Sequence, residues 1–156
     1  SMPPREGAFS QYLVMKDDNL VTVPDHVSLD AASLAEPVAC GWHTVRLAKA
    51  ALSGDAKTAL VIGGGAIGLG AALSLSAQGV ADVTIVEPNA LRRDVLNTKC
   101  QQTAISPDDL PNDAQFDLVI DGVGYAATRA TASAHGCPGG VIGHVGLGEG
   151  TGGIDV

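Results

Sequence analysis

The chain has 156 residues, a formal net charge of −8 and only 3% aromatic residues. This length suits one domain that buries about two thirds of its unfolded surface, and the negative charge argues against nucleic acid or an anionic membrane as a partner. Cys40, Cys100 and Cys137 lie far apart, which excludes a disulfide framework and a self-contained zinc knuckle. Without a signal peptide or a long apolar run, we expect a cytoplasmic protein.

The first part of the chain predicts short elements. Residues 7–23 have the pattern of two short strands around a polar turn. Ser28 is suited to cap a helix over residues 29–35. Pro37 can occupy the first turn of a second helix that runs to about residue 51. Glu36 then lies at the junction of the two helices.

Residues 58–68 predict a strand, a tight turn and the start of a helix that runs to about residue 78. The glycines follow the pattern G-x-G-x-x-G at Gly63, Gly65 and Gly68. In a dinucleotide-binding fold, the first permits the turn, the second leaves room for a pyrophosphate, and the third lets helix and strand pack closely. The helix start would then face the phosphates. Alone the pattern is weak, because the chain has 20 glycines.

The next predicted strand, residues 82–87, gives the glycine pattern its context. Glu87 ends this strand 19 residues after Gly68 (87 − 68). A carboxylate there can accept hydrogen bonds from the ribose hydroxyls and would repel a 2′-phosphate. The sequence therefore predicts a site for NAD(H) rather than NADP(H). The alternative is an ordinary acid at a strand end that caps the next helix.

The rest of the chain continues to alternate strands with helices. This alternation predicts a doubly wound Rossmann-type α/β fold, with a parallel sheet in the order 3-2-1-4-5 inside a three-layer αβα arrangement. We expect the ligand at the carboxyl ends of the first and fourth strands. The predicted elements are a helix over 91–98, a strand over 102–105, a loop over 106–115, a strand over 116–121, a helix over 126–134, a turn at 138–140 and a fifth strand over 141–145.

Several short segments carry a family resemblance when they are taken in order. They are GAFSQY at 7–12, VPD at 23–25, LAEP at 34–37 with His43 downstream, GGGAIG at 63–68, FDLVID at 116–121, and PGG at 138–140 through VGL at 145–147. Together they resemble the zinc-dependent medium-chain dehydrogenases/reductases, in the branch of alcohol, polyol and threonine dehydrogenases. The resemblance covers nearly the whole chain.

The resemblance implies a domain organisation and an activity. Residues 28–156 would be the NAD-binding domain, C-terminally truncated before a sixth strand, and residues 1–27 a remnant of the GroES-like catalytic domain. In the intact enzyme, zinc would bind an alcohol or polyol and hydride would pass to NAD. We expect no zinc in this chain and no dehydrogenase activity from it alone. A strand edge left bare by the truncation would favour a homo-oligomer.

The resemblance also assigns residues to the cofactor. It implies that Glu36 falls where relatives place a zinc ligand or a residue that touches zinc-bound water, although a helix-junction cap is an open alternative. For Arg92, a solvated helix charge is the alternative. His43 and His144 are expected to be core or sheet histidines. The implied contacts are Gly63, Gly65, Ala66, Ile67 and Gly68 for the pyrophosphate, Glu87 for the ribose, Arg92 for the adenine, and Val123, Val145, Gly146 and Leu147 beside the nicotinamide.

Two other classes of function remain open. An S-adenosylmethionine-dependent methyltransferase shares the glycine turn, the acid and the FDLV strand. Its glycine loop usually runs GxGxG, however, and it has no counterpart of residues 145–147. A non-enzymatic NAD-sensing module is also compatible with the isolated domain. The identity of the alcohol or polyol cannot be read from these residues.

Overall fold

A computed structural model describes residues 8–148 of the chain. The chain divides into two units, residues 1–33 and residues 34–156. The described part of the first unit contains a 3-10 helix, Asp17–Asn19, and the short helix α1, Leu29–Ala32. The Ser28 hydroxyl accepts a hydrogen bond from the Ala31 amide at 3.2 Å, so the predicted cap is confirmed. Helix α1 ends three residues before the predicted end at residue 35 (35 − 32).

The two strands predicted over residues 7–23 are wrong where the structure describes this segment. Residues 8–23 contain no strand, and the predicted polar turn is the 3-10 helix. A hairpin of two short strands is marginal in water unless a third strand or a packed apolar face supports it. The described residues of this unit contain no strand that could supply that support.

The second unit is a parallel sheet with helices on both faces. Its strand order is β3-β2-β1-β4-β5, and every pairing is parallel. The predicted Rossmann-type order is therefore confirmed. Its elements are α2 (Ala35–Ala51), β1 (Thr58–Ile62), α3 (Ala66–Ala77), β2 (Asp82–Val86), α4 (Ala90–Thr98), β3 (Thr103–Ile105), a 3-10 helix (Pro107–Asp109), β4 (Phe116–Asp121), α5 (Ala126–His135) and β5 (Gly136–His144).

The sheet buries apolar residues on both faces, as a parallel sheet must. Alternate residues of β1 enter different cores: Ala59 and Val61 pack in the core formed with α2, α3 and α4. Leu60 and Ile62 pack in the core on the other face, to which α5 contributes Ala132. Small and branched side chains fill these cores, consistent with the low aromatic content.

Helices α2 and α3 approach each other through glycines. A Cβ atom on Gly41 would lie 2.5 Å from the Ala71 backbone nitrogen and 2.5 Å from the Gly70 carbonyl carbon. The side chain of Lys49 on α2 also donates a hydrogen bond to the Gln78 carbonyl oxygen at the end of α3. Helix α2 is thereby held against the helix that follows the glycine turn.

Strand β5 begins earlier than the sequence predicts. The structure gives it the bounds Gly136–His144, so the expected turn at residues 138–140 lies inside the strand. The pairing register shifts between Phe116 and Leu118 of β4, whose partners are Gly136 and Val141. Gly139, at φ +81°, allows the extra residues to bulge out of the ladder. Among residues 8–148, no helix has the length and apolar character needed to cross a membrane.

Candidate functional site

The turn between β1 and α3 has the geometry that its glycines predict. Gly63 has a φ of +89°, a conformation that glycine adopts without strain. A Cβ atom on Gly68 would collide with the Gly63 carbonyl oxygen, so helix and strand are in backbone contact. A Cβ atom on Gly65 would meet no atom within 4 Å. The space above Gly65, at the N-terminus of α3, is therefore open to a ligand.

Glu87 lies directly after β2 and is 2% exposed. Its Oε2 accepts hydrogen bonds from the Gly64 amide at 2.9 Å and from Arg92 Nη1 at 3.0 Å. Its Oε1 accepts one from the Asn89 amide at 2.8 Å. Burial alone would raise the pKa of this carboxyl, but the two amides and the guanidinium stabilise its charge and hold the pKa below the usual value. The acid thus ties the glycine turn to the end of β2.

The start of α4 supports this arrangement. The Asn89 side chain caps the helix by accepting a hydrogen bond from the Arg92 amide at 3.0 Å. The Arg92 side chain is 52% exposed and pairs with Glu87. Arg93 Nη1 donates to the Glu87 carbonyl oxygen at 2.7 Å. Arg92 is therefore not simply a solvated helix charge, which was one of its two predicted roles.

Asp121, at the end of β4, is fully buried. Its Oδ1 accepts hydrogen bonds from the Val123 and Gly124 amides, both at 2.9 Å. Its Oδ2 accepts one from the Thr128 hydroxyl at 3.1 Å and lies 3.2 Å from His144 Nδ1. Asp121 therefore caps the turn after β4.

The loops after β1, β2 and β4 meet the segment after β5 at a cleft of about 520 Å³ along the carboxyl edge of the sheet. The cleft brings together residues that are far apart in the chain, since it is bounded by the glycine turn, the end of β2 and the segments after β4 and β5. Of the predicted cofactor residues, those that line it are Gly63, Gly65, Glu87, Arg92, Val123 and Leu147.

The other predicted cofactor residues do not line this cleft. Ala66, Ile67 and Gly68 form the first turn of α3. Val145 packs against the core on the α2 and α3 face. A Cβ atom on Gly146 would overlap the backbone of Val123, so its visible role is close packing between two loops.

A second, more apolar cleft of about 510 Å³ opens beside the first and shares Gly63, Pro88, Val123 and Tyr125 with it. Its remaining walls include Pro107 and Leu110. Four residues that line the first cleft were not predicted from the sequence: Pro88, Gly122, Tyr125 and Gly148. A signal existed for Pro88 and Gly122, because each directly follows the last residue of a segment predicted to end at the ligand edge.

Glu36 lies in the first turn of α2 and lines neither cleft. Its Oε1 accepts a hydrogen bond from the Cys40 thiol at 3.3 Å, and this bond, with burial and the nearby negative charge, raises the pKa of Cys40. His43 Nδ1 lies 3.1 Å from Arg46 Nη2. Within residues 8–148, no group of three or more His, Cys, Asp and Glu side chains could hold a metal ion.

Comparison with known proteins gives this geometry a family. The chain is 36% identical over 126 residues to D-altritol 5-dehydrogenase of Agrobacterium fabrum, covering 77% of this chain and 36% of that protein. It is 33% identical over 132 residues to L-galactonate-5-dehydrogenase of Escherichia coli, covering 84% of this chain and 37% of that protein. The chain belongs to the zinc-dependent medium-chain dehydrogenase/reductase family. It thus spans little more than a third of the length of these two relatives.

A solved structure shares the fold of this chain. An Escherichia coli CFT073 alcohol dehydrogenase, determined in complex with NADH, superposes with a TM-score of 0.83 at 21% identity, over 96% of this chain and 46% of that chain. At this identity the likeness establishes the fold alone. No protein-family model matches the chain.

Proposed function

We propose that this chain binds NAD(H) in the cleft at the carboxyl edge of its sheet and serves as the cofactor-binding part of an alcohol or polyol dehydrogenase. The observation that carries the proposal is the direct link between the glycine turn and the acid after β2, the Gly64 amide bound to Glu87 at 2.9 Å. Dinucleotide-binding folds need these two elements side by side, one for the pyrophosphate and one for the ribose.

The site suits a pyrophosphate. The first N–H groups of a helix have no intrahelical acceptor, and the helix dipole favours an anion beside them. At α3 these groups belong to Ala66, Ile67 and Gly68, next to the open space above Gly65. This is the basis for assigning all of these residues to the pyrophosphate although only Gly63 and Gly65 line the cleft. The bound NAD would supply a hydride acceptor.

Glu87 suits a ribose with free hydroxyls. Within residues 8–148, its Oε1 accepts one hydrogen bond, from the Asn89 amide, and a carboxylate oxygen can accept more than one. A 2′-phosphate would instead meet a buried negative charge whose one cationic partner among the described residues is Arg92. We therefore propose selectivity for NAD(H) over NADP(H). The apolar cleft between Pro88, Pro107 and Tyr125 is suited to an adenine ring.

The alcohol or polyol substrate class is supported by the relatives, two of which are named as dehydrogenases of altritol and galactonate. The nicotinamide would lie beside Val123 and residues 145–147. Zinc does not fit the donor groups that the structure describes, because Glu36 and its hydrogen-bonded neighbour Cys40 belong to no group of three or more possible ligands there. We therefore propose that zinc functions only in the intact enzyme.

The domain assignment also remains a proposal, with residues 28–156 as the NAD-binding domain and residues 1–27 as a remnant of a catalytic domain. The three cysteines are free thiols, which is consistent with the reducing cytoplasm that we propose as its compartment.

Calorimetric titration with NADH and NADPH tests the cofactor assignment. We expect tighter binding of NADH, and we expect Glu87→Ala to narrow the difference by about 1–3 kcal/mol because it removes a charged hydrogen-bonding group. Glu36→Ala is the matched control, since it removes a carboxylate outside the cleft. S-adenosylmethionine should not bind. Equal or tighter affinity for NADPH in the unaltered protein would overturn the assignment.

We also propose that the chain forms a homo-oligomer. Strand β5 is an edge of the described sheet, because β4 is its one partner there. An unpaired edge is a template for another strand, while the net charge of −8 opposes unlimited aggregation. Sedimentation at about 100 μM, where weak edge contacts register, should reveal a dimer. A homogeneous monomer at that concentration would contradict the proposal.

A further inference from the structure

The apolar cleft contains a buried histidine at its far end. His135 is the last residue of α5, lines this cleft and is 8% exposed. Tyr125, which precedes the same helix, lines both clefts. Because ten residues of a helix span about 15 Å, the apolar cleft extends along α5 from the carboxyl edge of the sheet to His135.

The hydrogen bonding of His135 determines which of its ring nitrogens is free. Its Nδ1 lies 2.8 Å from the Ala114 carbonyl oxygen. A carbonyl oxygen can only accept, so Nδ1 carries the proton and Nε2 of the neutral ring is an acceptor. Within residues 8–148, the structure gives Nε2 no hydrogen-bond partner. A buried acceptor without a partner is costly, so a ligand that donates a hydrogen bond to Nε2 would be favoured.

The neighbouring threonines offer acceptors as well. The Thr131 hydroxyl donates to a carbonyl oxygen of its own helix at 3.0 Å. The Thr128 hydroxyl donates to the Asp121 carboxylate at 3.1 Å and to the Tyr125 carbonyl oxygen at 3.0 Å. A hydroxyl has one proton and two lone pairs, so both threonines can offer only lone pairs to a ligand. Asn112 and Tyr125 could donate, but both side chains are exposed.

The loop after β3 is tied to this end of α5. Besides the bond between His135 and Ala114, Gln115 Nε2 donates to the Ala134 carbonyl oxygen at 2.9 Å. The same loop supplies Leu110 to the opposite wall of the cleft. His135 Nε2 is therefore held in a largely apolar setting, where a hydrogen bond is stronger than in water.

An adenine base has the complementary arrangement. Its bond to the ribose and its exocyclic amino group lie at opposite ends of the ring system, and the amino group is a hydrogen-bond donor. With the ribose at Glu87, a base that enters the apolar cleft directs this amino group toward the far end. We infer that His135 determines the specificity for the base of the cofactor, because its Nε2 accepts a hydrogen bond from the amino group of adenine. The inference rests on the proposed NAD(H) site.

The test compares NADH with its purine analogue, in which a hydrogen atom replaces the amino group of adenine. Calorimetric titration at pH 8 gives the Kd of both. We expect the unaltered chain to bind NADH about tenfold more tightly, since the analogue leaves a buried acceptor unpaired. His135→Phe keeps a flat ring but has no acceptor, so it should bind both dinucleotides about equally. His43→Phe is the matched control, because His43 lines neither cleft, and it should retain the tenfold preference.

A second readout uses the unaltered protein alone, because His135→Phe also loses the bond to Ala114. In ring-nitrogen NMR spectra, His135 should carry its proton on Nδ1, and its Nε2 signal should shift on saturation with NADH but not with the purine analogue. Equal affinity for the two dinucleotides, a preference that His135→Phe retains, or a proton on Nε2 in place of Nδ1 would overturn the inference while leaving the NAD(H) site intact. Failure to bind either dinucleotide would instead refute the cofactor assignment, and the inference with it.

Discussion

Replacing Glu87 with glutamine measures what its buried carboxylate contributes to the fold. The side chain is 2% exposed, and its oxygens accept hydrogen bonds from Gly64, Asn89 and Arg92 at 2.8–3.0 Å. Glutamine has nearly the same shape but places an NH₂ group at one of the two oxygen positions. The NH₂ group would point at an N–H group of the protein, so that two donors would meet without an acceptor. The remaining oxygen would still accept a hydrogen bond but would carry no charge.

The magnitude follows from these contacts. A hydrogen bond to a charged group contributes about 1.5–3 kcal/mol, and a buried donor left without a partner costs a similar amount. Glutamine loses the hydrogen bond at one oxygen position and the negative charge at the other. We therefore expect Glu87→Gln to lower the unfolding free energy by about 2–3 kcal/mol at pH 7. That is a large share of the roughly 5–15 kcal/mol that stabilises a domain. Glu36→Gln, at an exposed carboxylate, should change it by less than about 0.5 kcal/mol.

The pH dependence provides an independent check of the sign. Burial alone would raise the pKa of Glu87, but hydrogen bonds outweigh this effect and lower the pKa in the folded protein. The ionised Glu87 therefore stabilises the fold above the unfolded pKa of about 4.3, and this stabilisation is lost as the pH falls through the pKa of the folded state. Urea unfolding followed by circular dichroism at pH 7 and below pH 4 measures both effects. A difference below about 0.5 kcal/mol at pH 7, or one that widens on acidification, would refute this account of the carboxylate.

Two further predictions concern α2. Gly41→Ala gains up to about 1 kcal/mol of helix propensity, but it forces a methyl group against the α3 backbone, where overpacking typically costs about 1–3 kcal/mol. We therefore expect a net loss of stability in urea unfolding. Gly54→Ala is the control and should cause no loss, because its methyl group would meet no atom within 4 Å. Hydrogen bonding to Glu36 raises the pKa of Cys40, so Glu36→Gln should accelerate alkylation of Cys40 at pH 8. Peptide mass spectrometry measures the alkylation rate. An unchanged rate would show that the hydrogen bond does not control the reactivity of the thiol.

The strand order could be predicted because its causes are local. The run from Thr58 to Gly68 combines buried-strand composition with glycines that permit a tight turn. The alternation of strands and helices then leaves few topologies. Helix α2 was predicted for the same reason, since Pro37 suits a first helical turn. The residues after β1 and β2 were identified because strand ends on one edge of a parallel sheet lie together.

What the sequence did not reveal depends on pairing between distant segments. The contact of His144 with Asp121 is set by the β4–β5 register, which a bulge at Gly139 shifts by several residues. The glycines at 139 and 140 predict a turn if only local preference is considered, yet the ladder continues through them. The strand prediction for residues 8–23 was wrong in the opposite sense. Their local pattern favours strands, but the described residues of this unit contain no strand that could pair with them.

The central claim is that the chain binds NAD(H) with its pyrophosphate at the N-terminus of α3 and its ribose at Glu87. Mapping the amide NMR shifts of the free protein during titration with NADH tests this most directly. The account predicts saturable shifts that are largest at Gly65, Ala66 and Ile67, together with shifts at the Gly64 amide, which Glu87 holds. Shifts confined to the opposite, amino-terminal edge of the sheet, or no saturable shift with millimolar NADH, would contradict it.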